Sequence, residues 1–152
     1  VVAPNRLGQD FTVSQPNQVW VSDITHVWTQ AGWQYMAGIK DLFSCEMVGY
    51  ALGERMTAEL CLAALQMAKL RRQPRSGLIL HSDQGSQYCA KAYQKRLAQA
   101  GILASMSRCG NCYDNAPMES FWCSLKNELI HQMQYQTREE ARDAIVVYVE
   151  IF

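Results

Sequence analysis

The chain has 152 residues, 49% of them hydrophobic, which is the size and apolar content of one globular domain and excludes a disordered segment. Its 14 basic and 14 acidic side chains cancel and only 18% of residues are charged, so no global field draws the chain onto nucleic acid or lipid, and any polyanion has to be held locally. No apolar run of ~18 residues is present to span a bilayer, and the opening VVAPNRLGQD lacks the charged and then apolar regions of a signal peptide. A cytoplasmic protein with no membrane partner is therefore expected. Its six cysteines are expected as thiols, because a chain of this size without an export signal is not a disulfide scaffold. The absence of an initiator Met and the abrupt stop at Glu150-Ile151-Phe152 predict a piece of something longer.

Residues 1–18 read as an entry segment, with Pro16 and Asn17 in a loop, and residues 19–152 as the domain proper. Residues 19–29 alternate bulky and β-branched side chains as a strand does, and Gln30-Ala31-Gly32 supplies a turn. Residues 33–39 and 46–52 complete an antiparallel meander, since each connection is too short for a crossover helix. The period then changes. Thr57 caps a helix carrying Leu60, Ala64, Met67 and Ala68 that ends before Pro74. A short buried strand at 78–80, a helix over 86–100 closed by Gly101 and a strand at 102–106 follow. A Gly/Asn-rich loop, residues 108–115, leads into a helix over 116–131 with Asn115 as its cap. Thr137 and Glu140 form a capping box for a last helix with Ala141, Ala144, Ile145 and Tyr148 on one stripe. The order predicts an α/β fold in which a five-stranded mixed sheet is flanked by helices.

Three acids stand out. Asp23 lies inside the first apolar strand, where a lone buried carboxylate is costly unless it is paired, hydrogen-bonded or metal-bound. Asp83 follows the strand of Leu78-Ile79-Leu80 at its carboxyl edge, where ligands of α/β sheets collect, and Gln84 and Gly85 make the tight turn behind it. Glu119 stands in the first turn of the helix after Asn115. Each has an ordinary structural reading as a satisfied strand residue, a turn former or a partner of the helix dipole. Together they offer hard oxygen donors from three elements, the requirement for Mg²⁺ or Mn²⁺ bound through few carboxylates.

Trp20-Val-Ser-Asp23-Ile-Thr, His81-Ser-Asp83-Gln-Gly-Ser-Gln-Tyr88 and Asn111-Cys-Tyr-Asp-Asn115-Ala-Pro-Met-Glu119-Ser-Phe-Trp-Cys-Ser-Leu-Lys126 resemble the catalytic core of bacterial insertion-sequence transposases related to retroviral integrases. The 35 residues 84–118 between the second and third acids and the position of Lys126, seven after Glu119, match that family's D-D-E pattern. The resemblance implies a ribonuclease H-like fold for residues 19–152, with Asp23, Asp83 and Glu119 as the metal-binding triad for two Mg²⁺ or Mn²⁺ ions. It implies a polynucleotidyl transferase that cuts one DNA strand at an element's end and transfers the freed 3′-hydroxyl to another phosphodiester. It also implies DNA ends and target as partners, a homo-oligomer of the full-length protein, and action at the bacterial nucleoid.

Lys126 shares a helix face with Glu119, Trp122 and Cys123 and is expected to touch the DNA backbone. Lys69, Arg71 and Arg72 open a stretch, residues 69–96, with seven basic residues and Asp83 as its one acid; it reads equally as a phosphate-binding patch and as solvated helix faces. Asn115 is expected to hold the first turn of the Glu119 helix, His81 and Ser82 to pack beneath the acids, and Asp114 to be structural. Two rivals remain open. Cys109-Gly110-Asn111-Cys112 is a C-x-x-C unit, yet no second pair at matching spacing completes a zinc site. The same acids also serve a nuclease that only hydrolyses, or an inactive assembly module in which they are idle.

Overall fold

The run Val19-Trp-Val-Ser-Asp-Ile-Thr-His-Val-Trp-Thr29 forms β1 (Val19–Thr29). A computed structural model describes residues 2–7, 12–107 and 116–151. β1 turns at Gly32, whose φ of 121° favours glycine, into β2 (Gly32–Asp41), and β3 (Met47–Gly53) completes the meander. Thr57 accepts the Leu60 N–H at 3.3 Å and caps α1 (Ala58–Arg72). β4 (Ile79–Ser82), α2 (Ser86–Cys89), α3 (Lys91–Gln99), β5 (Leu103–Met106), α4 (Ala116–Glu128), a 3₁₀ turn (Ile130–Gln132) and α5 (Arg138–Ile151) follow.

The sheet order is β3-β2-β1-β4-β5, antiparallel through β3, β2 and β1 and parallel through β1, β4 and β5. Alternation along each strand divides the core into two layers. Trp20, Ile39, Leu80 and Met106 are buried beneath Leu65 of α1, Tyr88 of α2 and Tyr93 of α3. Val21, Val27 and Met36 are buried on the other face, beneath Met118, Trp122 and Leu125 of α4 and Ile145 of α5. α1 lies so close to β3 that a Cβ on Gly49 would stand 2.3 Å from the Ala64 carbonyl oxygen. The far edge of β5 is covered by the entry segment, where Met106 donates its N–H to the Pro4 carbonyl at 3.1 Å and Arg6 donates its N–H to Ser105 Oγ at 2.8 Å.

The single helix expected over 86–100 is two helices, broken at Ala90, whose φ and ψ of −60° and 138° are extended. Tyr88 and Tyr93 explain the break. Five residues apart, they would point to different sides of one continuous α-helix, whereas both are buried in the same core with ring centroids 5.4 Å apart. Gln94 donates its side-chain amide to the Tyr88 carbonyl at 2.7 Å, satisfying a group the break sets loose. The helix expected over 116–131 ends as an α-helix at Glu128 and finishes as the 3₁₀ turn. In α5 the deeply buried positions are Ala141, Ile145 and Val149, with Ala144 and Tyr148 half-buried. Among the described residues no helix is long and apolar enough to cross a membrane.

Candidate active site

β1 and β4 place the two aspartates. Their parallel register pairs Val21 with His81, so continuing it two residues sets Asp23 level with Asp83, which follows the last residue of β4. Both sit on the α4 side of the sheet, because side chains alternate and Val21 belongs to that layer. α4 seats Met118, Trp122 and Leu125 in the core. This spacing turns Glu119, one residue past Met118, outward to the rim of the same layer.

Trp122 ties α4 to the first acid by donating its indole N–H to Asp23 Oδ2 at 3.1 Å. The indole fits because Asp23 faces Gly38 across the ladder; a Cβ on Gly38 would stand 2.8 Å from the Trp122 ring. Lys40 of β2 donates to the Pro117 carbonyl at 3.4 Å and steadies the first turn of α4. The turn behind the second acid is equally built. Gly85 donates its N–H to Asp83 Oδ1 at 2.7 Å, and Gln84 donates its side-chain amide to the Ser107 carbonyl at 2.9 Å. A Cβ on Gly85 would stand 2.8 Å from Asp83 Oδ1, so only glycine leaves that carboxylate in place. His81 and Ser82 are buried, with His81 Nδ1 2.8 Å from Ser105 Oγ.

Burial pushes the Asp23 carboxyl up from its ordinary 3.8 to about 6; the N–H groups of Ile24 and Trp122 pull it back, and the negative charges of Asp83 and Glu119 push it further up. Asp23 thus lies within the electrostatic range of both Asp83 and Glu119. The three acids do not form a closed ligand shell: among the described residues no group of three or more His, Cys, Asp or Glu stands at metal-holding spacing. Their chemistry nonetheless fits a hard dication, since all three donors are carboxylates. Among the described residues, no basic side chain counts among the charges acting on Asp23.

Lys126 lies on the half-buried flank of α4, seven residues beyond Glu119. The other expected DNA contacts are elsewhere. Lys69, Arg71 and Arg72 stand in the last turn of α1, at the end of the sheet where β1 and β4 begin. Arg71 pairs with Glu150 at 2.8 Å, and Arg72 pairs with Glu46 and, at 3.7 Å, with the buried Asp41. The structure therefore does not bring this cluster to the acids. Asn115, Asp114, Cys109 and Cys112 lie outside the described residues. Cys45, Cys61 and Cys123 are free thiols, and burial pushes the Cys61 thiol up to about 12, which leaves it inert. Trp122 and Gly38 are the site residues that sequence reasoning missed; a tryptophan three positions after the helix acid was the only available signal.

Family models of the integrase core domain match residues 13–112 and 119–152. The chain is 58% identical over 151 residues to the insertion element IS600 uncharacterized 31 kDa protein of Shigella sonnei, covering 99% of this chain and 56% of that protein. It is 46% identical over 149 residues to transposase InsF for insertion sequence IS3A of Escherichia coli (strain K12), covering 98% of this chain and 52% of that protein. The chain thus spans about half the length of the curated relatives it matches. Among solved structures, a chain of the simian T-cell lymphotropic virus intasome in complex with PP2A regulatory subunit B56 gamma superposes with a TM-score of 0.69 at 20% identity, over 84% of this chain and 43% of that one. The HTLV-2 integrase catalytic core domain in complex with magnesium (dimeric form) gives 0.61 at 19% identity, over 74% and 69%. These likenesses carry the ribonuclease H-like fold, and the matches along the sequence carry the kinship: the chain belongs to the integrase core domain family, the catalytic core module of transposases and integrases.

Proposed function

We propose that Asp23, Asp83 and Glu119 hold two Mg²⁺ or Mn²⁺ ions for DNA strand cleavage and for transfer of a 3′-hydroxyl onto a phosphodiester in DNA transposition. The observation that carries this reading is the half-buried Asp23, whose carboxyl is raised first by its burial and further by the charges of Asp83 and Glu119, two acids from separate elements. Divalent cations at such a trio neutralise the charge developing on the attacking and leaving oxygens of an in-line phosphoryl displacement. The chain supplies the positioning. β1 and the Trp122 indole fix Asp23, the Gly85 N–H orients Asp83, and α4 holds Glu119 at the rim. Lys126 extends the same helix face and contributes a cation for the backbone beside the reacting phosphate.

The relatives named as transposases and the solved intasome support DNA as the substrate, and the dimeric integrase core supports a homo-oligomer of the full-length protein. We assign the core to residues 19–152 and treat 1–18 as its entry segment. The isolated core, with zero net charge, binds DNA weakly and without sequence preference. Labelled DNA ends with a free 3′-hydroxyl, incubated with Mg²⁺ and an unlabelled target, test the assignment. Joined products that vanish in Asp83→Asn are expected. Cut products alone would make the chain a nuclease, and joining by Asp83→Asn would remove the triad from the chemistry.

A further inference from the structure

β1 pairs with β4 only over Val19–Val21 but with β2 along Trp20–Thr29. The β1–β2 hairpin therefore projects beyond the parallel half of the sheet. Between this projection and the end of α4 lies a pocket of about 470 Å³, within the usual range for a small-molecule site. Its walls include His26, Trp28 and Trp33 on one side and Lys126 and His131 on the other, with Tyr135 also lining it. Trp28 and Trp33 face each other across the ladder with ring centroids 4.9 Å apart, edge to face, and His26 stands edge-on to Trp33 at 4.7 Å.

Both indoles are exposed, Trp28 by 54% and Trp33 by 43%, an expensive way to leave two large apolar rings unless something covers them. The walls are built rather than loose. Gln30 at the hairpin tip donates its N–H to the Tyr135 carbonyl at 2.9 Å, and Arg138 donates to the Trp33 carbonyl at 2.9 Å. The Tyr135 hydroxyl is buried and has no hydrogen-bond partner among the described residues. Among the described residues the lining holds a lysine and two histidines and no carboxylate, so it favours an anion. Its two long walls belong to β1 and α4, the elements that carry Asp23 and Glu119.

We propose that this pocket binds an unpaired nucleotide of single-stranded DNA, the base stacked on the exposed face of Trp28 with Trp33 edge-on beside it, and its phosphate beside Lys126. Exposed π-faces are useful to a base only when the base is unstacked, and aromatic platforms beside a basic wall bind single strands without reading sequence. The pocket thereby selects frayed or tailed DNA over intact duplex. This inference rests on the DNA reading above and adds a strand preference to it.

The test uses a blunt duplex and the same duplex with a short single-stranded oligo-dT tail, each titrated against the chain with tryptophan fluorescence and anisotropy. Tighter binding of the tailed duplex with quenching is expected. Trp28→Ala should lose about tenfold in affinity for the tailed duplex while blunt-duplex affinity stays within about twofold, and Trp28→Phe should restore most of it. The Mg²⁺-dependent rise in Tm, read in parallel, should be the same in all three proteins. Equal losses on both DNAs, or none on either, would overturn the pocket assignment. So would concentration-dependent dimerisation lost in Trp28→Ala, which would give the pocket to a second copy of the chain. Failure of the triad shows elsewhere, as cleavage and joining retained by Asp83→Asn, and leaves the tail preference intact.

Discussion

Asp23 gives the sharpest test of the electrostatics, because the metal-free protein should be more stable without its charge. The carboxyl is raised from 3.8 to about 6, and two pH units correspond to ~3 kcal/mol of differential interaction. Above pH 6 the group is ionised in both native and unfolded states and the whole penalty falls on the native state. As pH drops from 6 toward 3.8 the native state takes up the proton and the unfolded chain does not, so the penalty is released; below 3.8 nothing of it remains. Asp23→Asn keeps one oxygen to accept the Trp122 N–H but leaves the Ile24 N–H facing an amide, an offset of ~1 kcal/mol. The expected gain at pH 8 in EDTA is therefore ~2 kcal/mol, or a rise in Tm of roughly 4–8 °C for a chain of this size. Urea unfolding at pH 8, 6 and 4 measures it, and the gap between variant and wild type should close across the series. Adding Mg²⁺ at pH 8 should stabilise the wild type and not the variant. A variant no more stable than wild type at pH 8, or a gap that ignores pH, would refute the burial and charge repulsion that raise the Asp23 carboxyl.

Gly85→Ala is compatible with the local backbone, whose φ is −58°, but its methyl would displace the Asp83 carboxylate from 2.8 Å. A change in stability under ~1 kcal/mol together with a smaller Mg²⁺-dependent rise in Tm is expected by calorimetry. Gly49→Ala has no such room against the α1 backbone, and overpacking there should cost ~3 kcal/mol in urea unfolding, with the Mg²⁺ response retained. Lys126→Glu should weaken duplex binding and lower the slope of log K against log salt by about one; a titration in which both are unchanged would remove Lys126 from the interface.

What could be read from the sequence followed from periodicity and spacing. The alternation after Gln18 gave β1, Thr57 gave the α1 cap, and the three motifs gave the integrase kinship. What could not be read depends on tertiary partners. Ala90 carries no breaker signal; the helix breaks there because Tyr88 and Tyr93 both need the same core. Arg71 and Arg72 look like free cations in a basic run, yet Glu150, Asp41 and Glu46 arrive from three other segments to pair with them. Charge counted along a stretch misses charge folded back onto it: Arg71 and Arg72 are paired away from the acids, while Lys126 lines a pocket.

The same reasoning explains why the tie from Trp122 to Asp23 was not read. Helical spacing aligns Trp122 with Glu119 and Lys126, yet its side chain is buried in the core. Only the ladder partner of Asp23 being Gly38 opens the space through which the indole reaches the carboxylate. A strand acid, a missing side chain opposite it and a helix tryptophan together hold α4 at a fixed distance from β1, and that distance sets how strongly Glu119 acts on Asp23. The acids are therefore spaced by the core packing of α4, so a change at Gly38 that forces the helix outward alters the site while every carboxylate is retained.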